Sequence, residues 1–378
     1  MTKFSDLNLL PTLQSSLAEQ GLVTATEIQS RVLPILLAGK SVVGVSETGS
    51  GKTLAYILPV LQHLKTLEND GEKITKDSRP RAVVVVPTRE LGEQVARNFK
   101  PFTHTTRLRV RSLLGGTTVE VAKKSIKGPF EVLVATPGRL VKLLARGFLN
   151  LGDVRVLVFD EVDQMMDQGF LPDSKLIAAA CPSEKQLVMF SATVSGEVQQ
   201  LMKTLFTDAE VIRSKGSNQV VATLTTRNKP VSDSERFNLL QSVLRETVSG
   251  GTMIFTNTRD QCDVLAEELA KVQRECVVYR GSMDKVERRA NLKAFRAGQI
   301  DLLVSTDLAS RGLDVDHVGR VINYHLPYQM DNYLHRAGRT ARTGRQGLVI
   351  NFVGERDKVL IDQLKSPNTH KPQAGSFC

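Results

Sequence analysis

The stretch Ser41-Val-Val-Gly-Val45, followed by Ser46-Glu-Thr-Gly-Ser-Gly-Lys-Thr53, places an apolar run, a glycine-rich turn and the start of a helical pattern end to end. Gly49 and Gly51, with Ser50 between them, allow main-chain amides to close around the oxygens of a phosphate. The helix that follows would turn its N-terminal amides and dipole toward the same charge. Lys52 is then within reach of terminal phosphates, and Thr53 can offer its hydroxyl to Mg²⁺. A strict phosphate loop begins with glycine where this chain has Ser46, so strand and helix context carry the reading.

The same alternation continues outward. β-branched runs at Ala82 to Val86, Val132 to Ala135, Val154 to Phe159 and Gln186 to Phe190 are separated by helix-like stretches, which predicts an α/β fold with a mainly parallel sheet covered on both faces. A second series starts at Gly251 with Thr252 to Thr256, Glu275 to Tyr279, Asp301 to Ser305, Val318 to Tyr324 and Gly347 to Val353. A pattern that restarts predicts two domains in tandem, as 378 residues also do. We place the first at 1–213, a linker at 214–230, the second at 231–365 and a mobile tail at 366–378. Arg213 to Val231 has no helical apolar period, so it reads as linker or as an edge-strand connection.

Hydrophobic residues at 41% and charged residues at 24% are the balance of a globular protein. The net charge of +10 suits a polyanionic partner without distinguishing nucleic acid from an anionic membrane. No apolar run approaches the ~20 residues that span a bilayer, and Met1 to Leu17 is not a signal peptide, so no membrane association is expected. Cys181, Cys262, Cys276 and Cys378 include no CxxC pair and read as reduced thiols of a cytoplasmic-type compartment.

Val154 to Phe159 runs into Asp160-Glu-Val-Asp163, which puts carboxylates at the carboxyl edge of a parallel sheet, where open sheets bind ligands. Asp160 suits Mg²⁺. Glu161 suits the orientation and deprotonation of a water that attacks a γ-phosphate.

With these parts in place the chain resembles the DEAD-box RNA helicases of superfamily 2, with the signature acidic motif written Asp-Glu-Val-Asp. Gly21 to Gln29, with Phe4 upstream, looks like the family's adenine-reading motif. Pro87-Thr-Arg-Glu-Leu91, Gly115-Gly116, Thr136-Pro-Gly-Arg139 and Ser191-Ala-Thr193 follow in order. Ile254 to Thr258, Ser305 to Asp314 and His335 to Arg342 continue the order in the second half. The resemblance implies two RecA-like domains, an ATPase stimulated by RNA, and local unwinding of short duplexes or remodelling of RNA–protein complexes. ATP and Mg²⁺ would be the cofactors. The partner would be RNA, single-stranded or short duplex and bound without regard to sequence, and the protein would be a cytoplasmic monomer.

The resemblance also assigns residues. Gln29 and Leu22 would meet the adenine, Gly49, Ser50, Gly51, Lys52 and Thr53 the phosphates, and Asp307 the ribose. Lys52, Asp160, Glu161, Arg339 and Arg342 would be catalytic, the last two as arginine fingers on one helix face if that segment is helical. Thr53 and Asp160 would hold the metal. Thr88, Arg89, Gly116, Thr136, Arg139, Arg296, Gly298 and Thr306 would meet the sugar-phosphate backbone, while Asp163, Ser191, Thr193 and His335 would couple the two sites.

Several positions depart from the family pattern. Val162 stands where alanine is usual, adding bulk beside the carboxylates and predicting either compensation nearby or a slightly displaced strand. Leu22 replaces phenylalanine, Ala25 and Glu27 replace prolines, and Thr343 follows Arg342 where some relatives have an aromatic, so weaker nucleotide affinity is expected. Arg280 and Lys285 replace a histidine and a glutamine. An ATP-gated RNA clamp that unwinds little, or a superfamily 2 DNA helicase, would share most of these residues.

Overall fold

The computed structural model describes residues 2–47, 49–74, 76–214, 224–281, 283–307, 315, 317–341 and 346–365. Arg342 and Thr343, the body of Ser305 to Asp314 beyond Asp307, and the tail from 366 lie outside the described residues. The chain divides into two compact units, Met1–Ser217 and Asn218–Cys378.

In the first unit seven strands form one sheet: β1 Val42–Val45, β2 Ala82–Val85, β3 Val110–Leu113, β4 Val132–Ala135, β5 Val156–Phe159, β6 Gln186–Ser191 and β7 Glu210–Arg213. Their order is β3-β4-β2-β5-β6-β1-β7, and every pairing is parallel. Residues along each strand alternate between the two faces. Val84, Val134, Val158 and Val188 therefore enter one core, under the helices Glu27–Leu37, Lys52–Asn69 and Arg89–Thr106. Val83, Leu133, Leu157 and Met189 enter the other, with Leu140, Met165 and Leu201. Because both faces are covered, the interior strands β1, β2, β4 and β5 are buried at every position.

One cross-strand pair shapes the nucleotide end of this sheet. Gly44 of β1 lies opposite Phe190 of β6, and a Cβ at Gly44 would stand 2.3 Å from the Phe190 ring. The missing side chain gives that ring its room, and Tyr56 packs on it at 5.9 Å between centroids.

The second unit holds β8 Leu224–Pro230, β9 Gly251–Thr256, β10 Val277–Tyr279, β11 Leu302–Thr306, β12 Val318–Asn323 and β13 Gly347–Val353. They are ordered β10-β11-β9-β12-β13-β8, again all parallel. The segment read as linker thus ends as a seven-residue edge strand, in register with β13 from Leu224–Gly347 to Pro230–Val353. Residues 215–223 of that segment lie outside the described residues. Three asparagines stand level across this edge. The Asn323 amide donates to Asn351 at 2.8 Å, and Asn351 donates to Asn228 at 2.8 Å and to the Tyr333 hydroxyl at 3.2 Å.

Candidate active site

Apart from Gln29 and Leu22, which precede β1, the candidates of the first unit follow strands at their carboxyl ends, so strand order decides which of them are neighbours. Starts of the nucleotide loop, Asp160-Glu161 and Ser191-Thr193 follow β1, β5 and β6, which are adjacent save that β6 lies between the other two. Thr88-Arg89, Gly115-Gly116 and Thr136 follow β2, β3 and β4, the other half of the same edge.

Gly51 adopts φ +93° and starts the Lys52–Asn69 helix with no side chain capping its amides. An uncapped helix start leaves N–H donors for an anion. A side chain at Gly51 is barred twice, by that left-handed backbone and by the Gln29 amide, 2.5 Å from where a Cβ would lie. Lys52 is buried, and its ammonium donates to the Ser46 carbonyl at 2.9 Å. Ser46, the residue that breaks the strict loop pattern, is fully buried. Its hydroxyl accepts from Ser214 at 3.0 Å and its amide donates to Ser191 at 3.0 Å.

Gln29 is buried with both ends of its amide engaged. Its nitrogen donates to the Gly51 carbonyl at 2.9 Å, and its oxygen accepts from the Thr26 amide at 2.9 Å, closing a capping box on its own helix. A carboxamide has two N–H donors and two lone pairs, so one of each remains for a base edge. Leu22, in contrast, keeps about a third of its surface exposed, 37%.

Asp160 is buried, and two donors meet its carboxylate: the Tyr56 hydroxyl at 2.9 Å and the Glu161 amide at 3.0 Å. Burial still dominates and raises its pKa to about 6, with Lys52 pulling it down and Glu161 pushing it up. Glu161 carries φ +51°, a left-handed conformation rare outside glycine, and begins the short helix Val162–Asp167. Strained backbone of this kind clusters at functional positions. Val162 is fully buried in the core beneath. Beside it, β5 keeps unbroken register with β2 and β6 through Phe159.

Asp163 joins this cluster to the loop after β6. Its Oδ2 accepts from the amides of Ala192 at 3.1 Å and Thr193 at 3.0 Å and from the Thr193 hydroxyl at 3.4 Å. Ser191 contributes differently: its Oγ accepts from the Asp163 amide and donates to the Thr193 carbonyl. On the other half of the edge two arginines converge on the loop after β3. Arg89 pairs with Glu93 at 2.9 Å and reaches the Gly115 carbonyl at 3.5 Å, while Arg139 donates to the Thr117 carbonyl. Thr88 caps its own helix, Gly116 holds φ +94°, and Thr136 is buried at a helix start that its hydroxyl does not cap.

In the second unit the expected set is only partly gathered. Thr306 ends β11, whereas Arg296 and Gly298 precede that strand, at its other end. The helix carrying His335 stops at Ala337, with Gly338 as its C-cap and Ala341 at φ +57°. The shared helix face expected of Arg339 and Arg342 required that segment to be helical; Arg339 lies beyond the glycine cap that ends the helix, and Arg342 lies outside the described residues. Arg339 is buried and donates to the His335 carbonyl at 3.1 Å. Asp307 is gripped through both oxygens by Arg336, one bond measuring 2.8 Å. Arg336 is nearly inaccessible and also donates to Asn323 at 3.1 Å, the His325 carbonyl at 2.6 Å and Asn257 at 2.9 Å, with Phe255 beneath its guanidinium. Arg280, where the resemblance leads one to expect histidine, pairs with Asp263 at 2.6 Å. Sequence reasoning missed Arg336 and Tyr56. Tyr56 carried a signal, since four residues from Lys52 puts it on the same helix face.

Among the described residues no group of three or more His, Cys, Asp or Glu could hold a metal ion unaided, and no helix is long and apolar enough to cross a membrane. Cys181, Cys262 and Cys276 are free thiols.

Two all-parallel sheets, one with a glycine loop opening onto an uncapped helix, a buried carboxylate and a lysine at its carboxyl edge, define a phosphate-loop nucleotide-binding protein. Comparison with known proteins narrows the class. Residues 26–201 match the DEAD/DEAH box helicase family and residues 235–344 the helicase conserved C-terminal domain. An ATP-dependent RNA helicase RhlB of Pseudomonas syringae pv. tomato is 34% identical over 367 residues, spanning 96% of this chain and 92% of the relative. A DEAD-box ATP-dependent RNA helicase RhpA of Helicobacter pylori is 34% identical over 350 residues, 93% of this chain and 69% of the relative. Among solved structures, S. cerevisiae Dbp5 bound to RNA and ADP BeF3 superposes with a TM-score of 0.84 at 27% identity, covering 96% of this chain and 92% of that one. The chain belongs to the DEAD-box ATP-dependent RNA helicases.

Proposed function

We propose that this protein uses ATP to bind RNA irrespective of sequence and to open short duplexes or remodel RNA–protein complexes, acting as a monomer in the cytoplasm. The carrying observation is the single carboxyl edge of the first sheet, where the nucleotide loop and Asp160-Glu161 lie beside Thr88, Arg89, Gly116, Thr136 and Arg139. Asp163 ties the acidic helix to the Ser191-Thr193 loop through three hydrogen bonds at one oxygen. That bond set gives a change at the nucleotide a rigid route into the next loop.

In this reading Gly49, Ser50, Gly51 and Lys52 hold the phosphates, and Gln29 and Leu22 meet the base. Asp307 meets the ribose. Lys52 would leave the Ser46 carbonyl for the anion, a stronger partner for an ammonium than a neutral carbonyl. Glu161 orients and deprotonates the attacking water, and Arg339 and Arg342 stabilise charge on the transferred phosphoryl, an effect worth on the order of 10³ to 10⁵ in rate. Asp160 and Thr53 are a carboxylate and a hydroxyl with no all-protein cage around them, the donor set that suits Mg²⁺ shared with phosphates. Bound there, Mg²⁺ would neutralise charge on the phosphate oxygens. Arg296, Gly298 and Thr306 add backbone contacts from the second unit, with His335 coupling them to the nucleotide.

The test compares wild type with Glu161→Gln. Wild type is expected to hydrolyse ATP faster with single-stranded RNA than with DNA and to separate a short RNA duplex. The variant should bind ATP and RNA and lose at least 100-fold in turnover, a base of this kind contributing roughly 10² to 10⁴. Equal stimulation by DNA, RNA-stimulated hydrolysis without strand separation, or undiminished turnover in the variant would overturn respectively the RNA preference, the unwinding and the base.

A further inference from the structure

The Tyr56 phenol is fully buried, yet its hydroxyl sits 2.9 Å from Asp160 Oδ2 and also interacts with the Thr53 side chain. Those are the two side chains the proposed function gives to the metal. Tyr56 lies one turn into the helix that begins at Lys52, so the same helix start that presents amides to phosphate fixes where the phenol points. Phe190 holds the ring from the side, in the space that Gly44 leaves open. The Glu161 amide holds the other carboxylate oxygen, Oδ1, at 3.0 Å. Between them the two donors fix both oxygens and leave each a free lone-pair direction.

We infer that Tyr56 is a positioning residue for the magnesium of the nucleotide complex: its hydroxyl orients the Asp160 carboxylate, and through it sets the affinity of the site for Mg²⁺ without touching the nucleotide. Groups that hydrogen-bond a metal-ligating carboxylate from behind fix its orientation, and their removal typically costs roughly 10 to 100-fold in metal affinity or activity. A phenylalanine at this position would fill the same space and leave Oδ2 in the protein interior without its donor.

The inference rests on Asp160 acting as proposed above, and Tyr56→Phe tests it separately. Two measurements on the full chain are needed: the Mg²⁺ dependence of RNA-stimulated ATP hydrolysis, and binding of a fluorescent ATP analogue with Mg²⁺ and with excess EDTA. We expect the half-saturating Mg²⁺ concentration to rise roughly 10-fold, with turnover at saturating Mg²⁺ within about 3-fold of wild type, because the hydroxyl orients a ligand and does not touch reacting atoms. Binding in EDTA should match wild type while binding with Mg²⁺ weakens. A merely structural role would move the loop as well and weaken both. Equal losses with and without Mg²⁺, or a half-saturating concentration that is unchanged or lower, would overturn the inference. Should Tyr56→Phe not accumulate folded, Phe190→Leu, which loosens the ring without touching Asp160, is read by the same two criteria. A wild-type protein whose ATP hydrolysis ignores Mg²⁺ would sink the functional reading itself; a Mg²⁺-dependent wild type with an indifferent Tyr56→Phe sinks only the role of Tyr56.

Discussion

Asp160 and Asp307 each follow an interior strand at the carboxyl edge of a parallel sheet, and they are treated in opposite ways. Asp307 faces Arg336, a rigid fork of donors that takes both of its oxygens. Asp160 faces a phenol and an amide, neither of them charged, with Lys52 turned to a carbonyl instead. The first carboxylate is neutralised and held in place by its own domain. The second is buried without an ion-pair partner, and its raised pKa measures the shortfall. A cation delivered with a ligand would make up what the fold withholds, so the less satisfied of the two is the one suited to a metal, and the pre-paired one to a neutral hydroxyl.

The contrast can be broken at either end. The largest effect is expected at Arg336, whose removal leaves Asp307, Asn257, Asn323 and the His325 carbonyl without their donor. Breaking a buried pair from one side costs about 3 to 5 kcal/mol, so thermal or urea denaturation of Arg336→Ala should show a loss of that size. A loss below about 1 kcal/mol, the worth of an exposed pair, would mean that Arg336 does not hold Asp307 as a buried pair.

Asp160 should respond with the opposite sign. Its carboxyl ionises near 3.8 when unfolded and about 6 when folded. Between those values the folded chain holds more protons than the unfolded one, so this group's contribution to stability falls as pH rises through the window and then levels off, ~3 kcal/mol lower. Asp160→Asn lacks the slope. Without nucleotide the variant should be more stable than wild type at pH 8 by about 1 to 3 kcal/mol, the smaller figure reflecting an amide that cannot accept from both donors. Chemical denaturation should show that advantage vanish at pH 4. An advantage that persists at pH 4 would count against the buried charge as its cause.

The smallest effect is expected at Val162, beside Asp160 in sequence but turned into the core. With β5 in register and the side chain packed, Val162→Ala should open a small cavity and cost about 1 to 2 kcal/mol, read from the denaturation midpoint. A gain in stability would instead restore overpacking as the better description.

Interior strands were legible because burial on both faces forces a continuous β-branched run, as in Val83 to Val85. The three strands that no such run announced, β3, β7 and β8, all lie at sheet edges. There Arg111, Glu210 and Arg227 face water, and Pro230 needs no ladder partner for its nitrogen. The site was legible in its motifs and less so in its partnerships. Nothing in His335-Arg-Ala-Gly-Arg339 says that Arg336 is the member that grips Asp307, because its partners Asn257, Asp307 and Asn323 come from three separate strands' ends. The acidic motif likewise gave Asp160 without Tyr56, more than a hundred residues earlier in the chain.

The asparagines across β12, β13 and β8 bear on mechanics. A pull on the chain ahead of Leu224 loads β8 along its length against β13, so its ladder is stressed in shear and its bonds resist together instead of opening one by one. Sliding by a single residue would also turn Asn228 to the far face of the sheet and undo its bond to Asn351. The same bonds run on from Asn351 through Asn323 to Arg336 and the Asp307 it holds, so the edge strand and the site share one hydrogen-bonded chain.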